Sequence, residues 1–175
     1  GSLLDERLSV LEDQLRIGNL LSKDIIQLLR IPDFQKERQY YLEQGLKHYY
    51  NARLDVTLYE IALDNLLQAE EREKTDYVVL HRIGMIYLYA PSKCDMVKAE
   101  AYFRRAAKFA AIEINEAAVR LENALVTTSK HKKVRAEESM SEVTALAVDS
   151  YCECSICCVL LGKQEEALSF ALTAS

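Results

Sequence analysis

Four of the five cysteines, Cys152, Cys154, Cys157 and Cys158, fall within seven residues, and thiolates are ligands that zinc favours. Their spacing works against a shared ion. On one helix Cys154 and Cys158 lie on the same face while Cys152 points elsewhere, so four sulfurs do not converge, and compact core packing is the expected role. An odd number of cysteines, most of them crowded together, is also no secreted disulfide framework, so reduced thiols in a cytoplasm are expected. Hydrolytic chemistry needs a nucleophile, a base and an oxyanion site, or a metal with open coordination. The three histidines, His48, His81 and His131, are far apart in sequence, and no HExxH, GxSxG, GxGxxG or Walker-type loop occurs. No enzyme is expected, and no catalytic residue, metal or cofactor is assigned. The run Lys130-His131-Lys132-Lys133-Val134-Arg135 could meet phosphate, but it has no interleaved aromatic residues and reads as a solvated loop.

Composition sets the frame for these side chains. Of 175 residues 50% are hydrophobic, enough for a sizeable core, and only five Gly and two Pro punctuate the chain, too few for the turns of an all-β fold. Helices are therefore expected throughout. Acidic residues outnumber basic ones by 27 to 22, and the net charge of −5 opposes broad binding to nucleic acid or to an anionic membrane. Charges interrupt the apolar stretches before the roughly 20 residues of a membrane span, so neither nucleic acid nor membrane is an expected partner. Gly1 and Ser2 read as the scar of an expression tag.

Leu4, Leu8, Leu11 and Leu15 form one apolar stripe, either packed on the rest of the fold or zippered to a second copy as a homodimer. Residues 3–31 are expected to form an extra N-terminal helical cap. Pro32 pushes Ile31 out of helical geometry, which predicts a new helix from about Asp33. Beyond it a pattern recurs. Gln44-Gly45 follows Tyr41, Ile83-Gly84 follows Leu80, Ala117-Ala118 follows Ile114 and Cys154-Ser155 follows Tyr151, each at an offset of three. The second member of each pair is small, which lets two helix backbones approach where they cross. Matching sets follow on the partner helices: Ala62, Leu66, Ala69; Ala99, Phe103, Ala106; Ala136, Met140, Val143; and Ala167, Ala171, Ala174. A lone hairpin cannot bury both faces, so such units stack in series.

At these residues the sequence resembles the tetratricopeptide repeat, a helix pair with an aromatic or Leu, an apolar-small pair, an aromatic, and later Ala, Phe and Ala. The fit is closest at 77–110 and 148–175, and looser at 38–72 and 111–146. The resemblance implies an all-α superhelix, a right-handed solenoid of about four helical hairpins across 32–175. A generic α-solenoid is the alternative.

Tetratricopeptide arrays hold a peptide or helix in a concave groove lined by the first helix of each pair. By register the resemblance implies a lining of Leu42, Leu46 and Tyr49, then His81, Met85 and Leu88, then Asn115, Val119 and Glu122, then Cys152, Ile156 and Val159. The lining is mostly apolar and lacks the Lys, Arg and Asn set of carboxylate-clamping relatives. It implies a non-catalytic scaffold that binds another protein or peptide, with the groove open or filled by the chain's own N-terminal helix or a second copy. A regulatory sensor, whose groove ligand switches a neighbouring domain, is the second expectation.

Overall fold

The computed structural model describes residues 3–18 and 33–175, and among these the chain is all helical with no strand. The described residues form seven helices: α1 Leu3–Gly18, α2 Asp33–Asn51, α3 Leu58–Arg72, α4 Tyr77–Tyr89, α5 Met96–Leu125, α6 Lys130–Leu160 and α7 Gln164–Ala174. The start of α2 at Asp33 is where Pro32 placed it. The rest of the expected N-terminal cap, residues 19–31, and Pro32 lie outside the described residues. So does the side chain of Leu15; of the rest of the stripe, Leu8 is buried and Leu4 exposed, and Lys36 of α2 lies 3.8 Å from Asp5.

Side-chain caps fix where the helices begin. The Asp76 carboxylate accepts from the Val78 and Val79 amides and also from Arg38, Asp95 accepts from Lys98, and Ser129 accepts from Lys132. Between α6 and α7, Gly162 takes φ +78°, where a β-carbon is strained, and the Lys163 amide closes the turn on the Cys158 carbonyl at 2.7 Å.

The helices pair as antiparallel hairpins. α2 packs on α3 and α4 on the first half of α5, with one glycine at each crossing. A β-carbon on Gly45 would lie 2.7 Å from Leu66 Cδ2, and one on Gly84 would lie 2.8 Å from Phe103 Cε1. The last half of α6 pairs with α7, where the Ser155 hydroxyl donates to the Ala167 carbonyl at 2.9 Å. Each of these pairs stacks on the next. Glu70 of α3 receives Tyr102 and Arg105 of α5, and Arg104 of α5 bonds Glu166 of α7 while lying over the Phe170 ring. α4 sits in the middle, and Val79, Ile83, Ile86 and Leu88 are buried in a core shared with Cys154 and Cys157 of α6, with Leu80 also buried.

Two expected inter-repeat breaks are filled by helix. α5 runs unbroken through residues 110 and 111, and α6 through 146–148. The physical reason is that no Gly or Pro occurs between Pro91 and Gly162, and the intervening Ala, Glu and Leu favour helix. The segment 111–146 therefore forms one long hairpin that leaves the stack. Ala110, Ala117, Val143 and Ala147 fill its base beside Tyr77, while no residue from 118 to 142 is buried. The expected Ala117-Ala118 crossing is shifted by one residue: Ala117 is buried and Ala118 exposed. By length and composition α6 is also apolar enough to cross a membrane, although 33% of its most apolar window is buried in the fold.

Cys154 and Cys158 are buried, as their helical spacing predicts, Cys157 is buried as well, and Cys94 and Cys152 are exposed. Burial raises all three interior thiols, that of Cys157 to about 12. Under native conditions iodoacetamide is expected to add to the two exposed thiols, and to all five only after unfolding. Three or more adducts on the native chain, read by intact mass, would show that α6 does not pack on α4 as described.

Candidate functional site

The end of α2, the start of α3 and the middle of α4 enclose a cleft of about 270 Å³ lined by Tyr49, Tyr50, Arg53, Tyr59, His81, Arg82 and Met85. Tyr49 meets Tyr50 and Tyr59 edge to face, with centroids 5.4 and 6.3 Å apart. The Arg82 guanidinium lies 5.6 Å from the Tyr49 ring and 6.0 Å from Tyr50, and it donates to the Tyr50 hydroxyl at 3.4 Å. Helix α4 fixes this arrangement because its other faces are buried, which leaves Arg82 and Met85 half-buried toward α2.

His81 is only 5% exposed, and its Nδ1 lies 2.6 Å from Arg82 Nη1. Burial, and then the neighbouring Arg82 charge, hold its pKa down to about 4, so the ring is neutral at pH 7. A guanidinium only donates, so Nδ1 is the acceptor and the single ring proton sits on Nε2. That Nε2–H and the Arg82 Nε–H are buried without a partner. Aromatic faces beside such donors suit a side chain that brings a hydrogen-bond acceptor.

The depressed histidine makes stability depend on pH. Unfolded His81 takes a proton near pH 6.5, whereas folded His81 resists until about pH 4, so stability falls as pH drops through that window. Between pH 7 and pH 5 the loss is expected to be about 2 kcal/mol, and smaller in His81→Gln. Urea melts at the two pH values check it; equal slopes for the two proteins would contradict a buried neutral His81.

The groove positions implied by register divide four ways. Tyr49, His81 and Met85 meet at the cleft. Leu42 and Leu46 are half-buried against the main core, and Leu88 is interior, so they do not form an open apolar lining. Asn115, Val119 and Glu122 are exposed on the long hairpin, away from the stack, because α5 continues straight out of it. Cys152, Ile156 and Val159 are exposed on α6. Near them Glu153, half-buried and with its pKa raised by burial, accepts from the Tyr89 hydroxyl at 3.4 Å and acts electrostatically on Tyr49. Thus α2, α4 and α6 contribute to one neighbourhood. Arg53 and Arg82 escaped the sequence reading because the register assigned groove roles to His81 and Met85 and none to the arginine between them.

A second cluster brings Glu100, Cys158 and Glu166 within 4.8 Å of one another. Arg104 bonds both carboxylates and Lys163 lies 3.9 Å from Glu100, so cations already balance the charge. The Cys158 thiol, its pKa raised by burial, stays protonated. This is an ion-pair network that ties α5 to α6 and α7.

No family model, curated protein or solved structure matches the chain.

Proposed function

We propose that this chain is a non-catalytic, tetratricopeptide-like scaffold that binds a segment of another protein at the aromatic cleft between α2 and α4. The observation that carries the reading is the cleft itself: three tyrosines and Met85 offer contact area, and two unpartnered donors offer polar recognition. The small residues at the crossings, Gly45 against Leu66 and Gly84 against Phe103, support the repeat register. Five free thiols suit the reducing interior of a cytoplasm.

A peptide library displayed on phage tests this directly. Selection on the folded chain is expected to enrich sequences that share an acceptor-bearing side chain. Their binding should fall at least about tenfold in Tyr50→Ala and Arg53→Ala, which alter largely exposed residues. Failure to enrich any sequence family, or equal binding by both variants, would refute the cleft as the binding site.

A further inference from the structure

The tip of the long hairpin combines two features that elsewhere occur apart. At its apex Leu125 and Val126 are 58% and 86% exposed. In the first two turns of α6 come Lys130, Lys132, Lys133 and Arg135, and none of these four has an ion-pair partner among the described residues. At the tip itself, residues 125–135, four cations stand with no carboxylate on a chain of net charge −5, while Glu122 precedes the apex on α5 and Glu137, Glu138 and Glu142 follow farther down α6. Leu54, still more exposed, lies between Arg53 and Asp55, whose charges offset each other.

We propose that this tip docks on an anionic lipid surface, with Leu125 and Val126 entering the headgroup boundary and the four cations meeting lipid phosphates and carboxylates. An apolar point ringed by unpaired cations is what such an interface rewards, because apolar burial and charge attraction act together. Below the apex lies a mostly apolar trough of about 500 Å³ floored by Ala124 and Ala136 and edged by Lys132, Arg135 and Arg120, the last of these paired with Glu113. The acidic body does not cancel the attraction. Along α5 the apex stands about 12 Å beyond Ala117, its last buried residue, whereas charges are screened over about 8 Å at physiological salt. The tip has no aromatic side chain for stacking bases, and its apolar residues lie at a convex point, which disfavours nucleic acid and an extended peptide.

Flotation with vesicles of 30% phosphatidylserine in phosphatidylcholine, against phosphatidylcholine alone, tests the proposal. At physiological salt the wild-type chain is expected to float with the anionic vesicles only. Each lysine near the surface is worth about fivefold, so Lys132→Glu/Lys133→Glu should lower binding at least about tenfold. Leu125→Ser/Val126→Ser, which leaves every charge in place, should also lower it about tenfold. Unchanged thermal melts are expected for both pairs, since all four residues lie outside the buried core. Absence of flotation, equal binding to neutral vesicles, or full binding by either variant would overturn the proposal. So would retention of a short RNA duplex by the serine variant in place of vesicles, which would assign the cations to nucleic acid.

Discussion

Phe103→Ala is expected to remove about 3–5 kcal/mol of stability, a large share of the roughly 5–15 kcal/mol a domain possesses. The ring is fully buried where α4 crosses α5, it meets His81 edge to face at 5.6 Å, and it lies against the bare backbone of Gly84. The same crossing predicts the converse fault. A β-carbon at Gly84 would come within 2.8 Å of Phe103 Cε1 and 2.9 Å of Cδ1, so Gly84→Leu overpacks the site and should cost about 1–3 kcal/mol. Because both residues occupy one space, Gly84→Ala should cost less in a Phe103→Ala background, with a coupling of about 1 kcal/mol. Urea denaturation of the four proteins measures this. Strict additivity would mean that the two side chains do not share the crossing.

Leu88→Glu should be as damaging. Register alone places Leu88 beside Leu46 on an open groove, where glutamate would be tolerated, but Leu88 is buried among α4 and α6 side chains. A carboxylate there must either lose its hydration or take up a proton, and leaving one unpaired in a core costs about 3–5 kcal/mol. Leu46→Glu, at a half-buried site, should cost distinctly less. Circular dichroism melting separates the cases. A Leu88→Glu protein that melts with wild type would restore the open groove.

The difference between these leucines shows what was legible in the sequence. The crossings were, because small residues recur at a fixed offset from large ones, and Gly45, Gly84 and Ser155 all lie at helix contacts. The burial of Cys154 and Cys158 followed from the same periodicity. The third unit was misread because repeat spacing specifies which faces are apolar but not where a helix stops. Stopping needs a breaker, and residues 126–129 supply the only break between Met96 and Leu160. The cleft was half legible. Tyr49, His81 and Met85 were within reach of register, whereas Arg82 enters by folding its long side chain over two rings, which no helical wheel displays.

The unbroken helices of the long hairpin also have a mechanical consequence. α5 and α6 carry neither glycine nor proline, so neither offers a hinge between the stack and the tip. From Ala110 to Leu125 the projecting part of α5 is about 22 Å long, so a tilt of about 5° at its root sweeps the far end through about 2 Å. The pair acts as a lever. Load taken up at Leu125 and Val126 would arrive as torque on the Gly84–Phe103 crossing, two residues from Arg82 on α4 and in contact with the His81 ring.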